Sequence, residues 1–76
     1  MMMNQEFPLH YTLDDGTKVD VYKMEPNCYE FILTRLNTET HNFFLKHGRI
    51  EESYETRFDK WQNEAVALFE KMKAEA

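Results

Sequence analysis

The feature that most constrains the fold of this chain is an amphipathic pattern in residues 53–75. Large apolar side chains recur there at steps of three and four residues, which places them along one side of an α-helix. Polar and charged residues occupy the opposite side, so the helix needs an apolar surface to pack against. The apolar stripe consists of Tyr54, Phe58, Trp61, Ala65, Leu68, Phe69 and Met72.

The largest member of this stripe predicts where the core has its centre. Trp61 stands near the middle of the stripe and has more apolar area to bury than its neighbours. Ser53 begins the pattern and is the expected N-cap, because its hydroxyl can accept a hydrogen bond from a backbone N–H of the first turn. We therefore expect a helix over residues 53–75 with Trp61 at the centre of the core.

The residues before the helix alternate between apolar and polar, which predicts β-strands. Leu9 and Tyr11 alternate with polar residues, and so do Val19 and Val21 after the turn at 14–16. A two-residue loop would place each apolar residue opposite a charged one. A three-residue loop pairs Tyr11 with Val19 and Leu9 with Val21, and places the glycine of the turn where a left-handed conformation is needed. The alternation favours the three-residue loop.

Two more strands are predicted at about 28–36 and 41–47. The first of them is apolar on both sides, which is typical of a central strand. The polar loop between the two strands does not determine the register of the second. Gly48 interrupts that strand, and we expect a bulge or bend there.

These elements predict an α+β fold in one domain of 76 residues. The expected architecture is a four-stranded antiparallel β-meander over residues 7–50 with the C-terminal amphipathic helix packed on one face, in the order β-β-β-β-α. Residues 1–6 are expected to be a loose N-terminal segment. The face that receives the helix is predicted to carry Leu9, Tyr11, Val19, Val21, Phe31 and Leu33.

Charge and composition narrow the classes of function. The 14 acidic and 9 basic residues leave a formal net charge of −5, which suits general binding to nucleic-acid phosphates poorly. Cys28 is the single cysteine, so an internal disulfide is impossible and a reducing compartment is favoured. The sequence has no leader-like segment and no apolar run long enough to cross a membrane. We expect a cytoplasmic protein without membrane association.

The residues with chemically reactive side chains have simpler interpretations. His10 and Asp20 are opposite each other in the predicted hairpin and could orient a general base, but no nucleophile or cleft accompanies them. His41 and His47 would be about 20 Å apart in one strand, so they cannot bind the same metal ion, and we expect them to be solvated. Cys28 lies near acidic residues that disfavour a thiolate. We expect no catalytic residue, no cofactor and no metal.

The sheet face away from the helix carries more apolar area than one helix can cover. Tyr22, Met24 and Ile32 are placed on it, and the run 43–45 must add another apolar side chain, which we assign to Phe44. A helix of about 23 residues would span roughly 34 Å, whereas an eight-residue strand spans about 26 Å. The end of the helix is therefore expected to overhang the sheet. The predicted interface residues are Tyr22, Met24, Ile32, Phe44, Phe69 and Met72.

The leading hypothesis is a non-enzymatic protein–protein interaction module that self-associates as a homodimer through these surfaces. A nucleic-acid-binding accessory domain is the alternative, using the sheet face or the basic cluster of Lys46, His47 and Arg49 beside aromatic residues. A small enzyme using His10 and Asp20 ranks last. The apolar face could also be ordinary surface, screened by Lys18, Asp20, Glu30 and Arg35.

Overall fold

A computed structural model of the chain describes residues 7–36, 38–51 and 56–75. Over these ranges the backbone forms five strands, a short 3-10 helix and one α-helix. Their bounds are β1 Leu9–Thr12, β2 Lys18–Glu25, β3 Cys28–Arg35, β4 Glu39–Lys46, β5 Arg49–Ile50, the 3-10 helix Thr56–Phe58 and α1 Asp59–Glu75. The predicted α+β class, with an antiparallel sheet and one C-terminal helix, is confirmed.

The strands are hydrogen-bonded in the order β1-β2-β3-β4-β5, which is an antiparallel meander. The register predicted for the first hairpin is confirmed, with Leu9 paired with Val21 and Tyr11 with Val19. Gly16 has a φ of 93°, the left-handed conformation that the three-residue loop requires. Loop geometry and the apolar alternation therefore agree, and all four apolar residues lie on one face.

A fifth strand is the main difference from the predicted sheet. His47 and Gly48 both have positive φ values, 53° and 80°, as the two central residues of a tight hairpin turn require. The turn pairs Lys46 with Arg49 and adds β5 to the edge of the sheet. The expected bend at Gly48 is thus a reversal of the chain.

The pairing of β4 with β3 places two further apolar residues beneath the helix. Phe43 and Leu45 lie on the α1 side of the sheet, and Phe44 points the other way. The strand β3 ends at Arg35, one residue earlier than predicted. Leu36 follows it with a left-handed φ of 55° and is 82% exposed. The cross-strand pairs beneath the helix are Tyr29–Leu45, Phe31–Phe43 and Leu33–His41.

The core lies between this face of the sheet and α1, and Phe69 is at its centre. Its side chain is fully buried, and its ring meets those of Phe31 and Tyr29 edge-on at centroid distances of 5.3 and 5.1 Å. Such edge-to-face contacts stabilise aromatic clusters beyond the area they bury. The predicted core face is confirmed: its fully buried members are Val19, Val21, Phe31 and Leu33, with Leu9 and Tyr11 packed against them.

The expectation that Trp61 is the centre of the core is wrong. Trp61 is partly buried at the periphery, where its indole N–H donates a hydrogen bond to Asp15 Oδ2 at 2.7 Å. A buried indole N–H needs a hydrogen-bond acceptor, so the Trp61 ring lies at the edge of the core, where its N–H can reach a carboxylate. Phe69 has no polar atom and can be enclosed completely.

The prediction that the helix extends beyond the sheet near Phe69 is also wrong. The helix α1 has 17 residues and spans about 26 Å, the same as an eight-residue strand. Because Phe69 is 0% exposed, it cannot contribute to an interface, and Met72 is partly buried. The predicted N-cap Ser53 and the first stripe residue Tyr54 lie outside the described residues.

We expect Phe69→Ala to destabilise the protein by about 3–5 kcal/mol, because it empties the space at the centre of the ring cluster. Trp61→Ala should cost less, since that ring is only partly enclosed. Urea unfolding followed by circular dichroism measures both values, with the exposed Lys71→Ala as a control that should stay within about 0.5 kcal/mol. A larger loss from Trp61→Ala than from Phe69→Ala would contradict this placement of the core.

Candidate interaction surface

The side of the sheet opposite α1 is called the open face here. Both described helical segments pack on the other side, where Phe58 and Phe69 are buried. Strand alternation sends every second residue to the open face, and the pairing aligns these residues in rows. The rows across β2, β3 and β4 are Lys18–Thr34–Thr40, Asp20–Ile32–Asn42, Tyr22–Glu30–Phe44 and Glu25–Cys28–Lys46.

Three of the predicted interface residues come together on this face. Tyr22 and Phe44 stand on either side of Glu30, and Ile32 is the next residue of β3 on the same side. Tyr22 is 38% exposed, and the other two apolar side chains are partly buried. Met24 lies in an irregularity near the end of β2 and is 55% exposed. The register of β4 places Phe44 on the open face, as expected from the sequence.

Polar groups interleave with these apolar side chains. Asn42 donates a hydrogen bond from Nδ2 to Glu30 Oε2 at 3.2 Å, beside the aromatic row. His10 Nδ1 lies 2.6 Å from Asp20 Oδ1, so the predicted cross-strand pair forms. The His10 side chain is 62% exposed on a flat strand surface, an arrangement that favours a surface pair over an active site.

The open face carries little net charge, unlike the chain as a whole. Its strand residues include three cations and three carboxylates, whereas the entire sequence has a formal net charge of −5. The cations are Lys18, Lys46 and Arg49, and the carboxylates are Asp20, Glu25 and Glu30. Just beyond β5, Glu51 adds a fourth carboxylate beside Lys46, so the face has a net charge of −1. Two such faces repel each other much less than the net charge of the whole chain would suggest.

The role assigned to Arg35 from the sequence is wrong. Arg35 lies on the α1 side of the sheet, where its guanidinium is 3.8 Å from the centroid of the Trp61 ring. Its Nη1 atom is 3.4 Å from Glu39 Oε1, and its buried Nε has no hydrogen-bond partner among the described residues. Arg35 therefore helps to position the helix and does not screen the open face.

The basic cluster lies at one corner of the open face. Lys46 and Arg49 are paired neighbours on β4 and β5, and His47 lies in the turn between them. Lys46 Nζ is 5.9 Å from the Phe44 ring and 3.4 Å from Glu51 Oε1. A carboxylate thus offsets part of the positive charge of the cluster.

The expectation that His41 is solvated is wrong. Its ring stacks on Phe58 at a centroid distance of 4.2 Å with an interplanar angle of 1°, and the residue is 9% exposed. The imidazole Nε2 lies 2.6 Å from Oε1 of the buried Gln62 and donates a hydrogen bond to it. The signal was present in the sequence, because His41 shares the alternation of Phe43 and Leu45.

A second polar contact holds the start of α1 to the first hairpin. Asp15 accepts hydrogen bonds from the Thr17 N–H at 2.9 Å and from the Trp61 indole at 2.7 Å. Hydrogen bonds from the Thr17 hydroxyl and amide and from Trp61 lower the pKa of Asp15 to about 2. The ionised carboxylate therefore joins the hairpin loop to the helix.

Comparison of the chain with family models, with curated proteins and with solved structures finds no match. Among the described residues, no helix combines the length and the apolar character needed to span a membrane. Over the same ranges, no three His, Cys, Asp or Glu side chains converge in a way that could hold a metal ion.

We expect acid to weaken the Asp15 contact between about pH 4 and pH 2. The pKa of Asp15 is lower in the folded state than its ordinary value of 3.8, so its stabilisation is present above pH 3.8. That stabilisation is lost as the pH falls through about 2. Urea midpoints measured across this range report the loss, because Trp61 is the only tryptophan and its fluorescence follows unfolding.

Asp15→Asn should flatten this part of the pH profile. The neighbouring Asp14→Asn is the matched control and should keep the slope of the parent. An unchanged slope in Asp15→Asn would show that other carboxylates cause the acid sensitivity.

Proposed function

We propose that this protein is a non-enzymatic protein-interaction module that self-associates through the open face. The observation that carries the proposal is the apolar group formed by Tyr22, Ile32 and Phe44 on a sheet face that no described helix covers. Burial of apolar surface stabilises association by about 25 cal/mol per Å², offset by the cost of immobilising two molecules. The free Cys28 supports a reducing, cytoplasmic setting for this activity.

The size of the face sets the expected strength of self-association. The five strands contain 30 residues, and at about 4.8 Å between strands and about 3.3 Å per residue they cover roughly 500 Å² per protomer. Two such surfaces total roughly 1,000 Å², just below the range of about 1,200–2,000 Å² found in stable complexes. We therefore expect a weak dimer that forms at micromolar concentrations or above.

Nucleic-acid binding is the second candidate, and one observation favours it. Phe44 lies beside Lys46 and Arg49 on an exposed sheet, an arrangement that can stack a base and neutralise a phosphate. Glu30 and Glu51 lie close to the same residues, and the net charge of −5 opposes the approach of a polyanion. We rank this function below self-association.

Sedimentation velocity over a wide concentration range tests self-association. The parent should shift from monomer to dimer, and Tyr22→Ser/Ile32→Ser should remain monomeric because it removes apolar area from the face. Its helical circular dichroism should persist, since neither residue contacts α1. The matched control is Asn63→Ser, an exposed position on the far side of α1, which should dimerise like the parent. A parent that stays monomeric at every concentration would refute the proposal.

A gel shift with short single-stranded DNA and RNA at two salt concentrations tests the second candidate. We expect no shift, because the acidic chain gains little from release of counterions. A shift that weakens with salt and disappears in Lys46→Ala/Arg49→Ala would favour nucleic-acid binding over self-association.

A further inference from the structure

The apolar residues of the open face are arranged almost symmetrically about its middle strand. The strands β2 and β4 flank β3, and Tyr22 and Phe44 occupy equivalent places on either side of Glu30. Ile32 lies on β3 itself. In a two-fold dimer the same patch must be complementary to its own copy. An axis between the two sheets and along β3 would place each β2 opposite the partner's β4.

With this axis, apolar side chains meet apolar side chains. Tyr22 faces the partner's Phe44, this contact occurs twice, and Ile32 faces the partner's Ile32. Stacked sheets lie about 10 Å apart with strand directions within about 30° of each other. Rows near the axis therefore stay opposite each other despite the twist of the sheets.

An axis at right angles to the strands is the competing arrangement. If it crosses the row of Tyr22, Glu30 and Phe44, each aromatic residue meets its own copy, which is equally acceptable for apolar contact. The charged residues distinguish the two arrangements. The crossing axis places Asp20 against the partner's Glu25, so two pairs of like charges oppose each other. The axis along β3 instead places Glu25 against the partner's Lys46, which is attractive.

We infer that the occupant of the open face is a second copy of this chain, stacked face to face about a two-fold axis along β3. This inference rests on the proposed function. It is supported by the low net charge of the face, −1 from three cations and four carboxylates with Glu51 counted, because two such faces repel each other little although the protein carries −5. It assigns contacts to Tyr22, Phe44, Glu25 and Lys46 of each copy.

One residue opposes association in this geometry. Glu30 lies on β3, so the axis brings it towards the partner's Glu30. The hydrogen bond from Asn42 of the same chain offsets part of the cost of removing the carboxylate from water. Glu30→Gln retains the shape and an acceptor oxygen but removes the charge, and it should tighten the dimer.

Sedimentation velocity of charge variants tests the direction of the axis. Glu25→Lys should weaken the dimer by roughly threefold to tenfold, because two exposed attractive pairs become repulsive. Glu25→Lys/Lys46→Glu should restore the dissociation constant to within about twofold of the parent. The matched control is Glu64→Lys on the exposed side of α1, which makes the same change in net charge away from the face. If Glu25→Lys tightens the dimer, the axis crosses the strands and the inference is wrong.

Cross-linking supplies an independent readout in a Cys28→Ser background. Under the inference, a short bis-maleimide should join Tyr22→Cys protomers to Phe44→Cys protomers in a mixture, and each variant alone should cross-link poorly. Efficient cross-linking of each variant with itself would overturn the inference while leaving self-association intact. A parent that is monomeric at every concentration would instead refute the proposed function and this inference together.

Discussion

The structure depends on the enclosure of Phe69 between α1 and the sheet. Its ring is held edge-on by Phe31 and Tyr29, with Phe7 6.5 Å away, so residues distant in the sequence meet at one point. A domain of 76 residues has little apolar area to bury, and large aromatic rings supply much of it. The helix can settle on the sheet because its length matches that of the central strands. The position of Phe69 then determines which other side chains are enclosed.

Polar contacts fix the orientation of the helix around this apolar centre. At the first hairpin, Asp15 binds the Trp61 indole, and Arg35 stacks on the same ring. On β4, the buried His41 bonds to Gln62 of α1. These interactions are directional, and buried polar atoms are costly when they lack partners. They select one position of α1 among those that the apolar surfaces alone would tolerate.

In the part of the chain that the structure describes, helices cover only one side of the sheet, and this bears on the proposed function. The pleat alternates side chains between two faces, so the strands that build the core also display a second set of residues. In β2, β3 and β4 that set combines an apolar group with two cations and three carboxylates, a net charge of only −1. The proposed self-association is based on this arrangement, because a face with so little net charge suits a like face better than a highly charged partner.

The sequence by itself determined the features that depend on short-range geometry. Alternation and the three-residue loop predicted the pairing of Leu9 with Val21. A slip of one residue in this pairing would move the apolar side chains of one strand to the opposite face of the sheet. The helical stripe likewise predicted that Phe58 and Ala65 face the sheet, and both are buried. The presence of Tyr22 and Ile32 on the opposite face followed from the same alternation.

Only the tertiary structure decided which of these residues are central and which remain available to a partner. The loop before β4 has no residue that fixes its register, so the burial of His41 and the outward position of Phe44 depend on pairing with β3. Phe69, and not Trp61, is at the centre of the core because its position on the helix is nearer to the aromatic residues of the sheet. Such distances arise when separate elements pack together, and a periodic pattern along one element does not contain them.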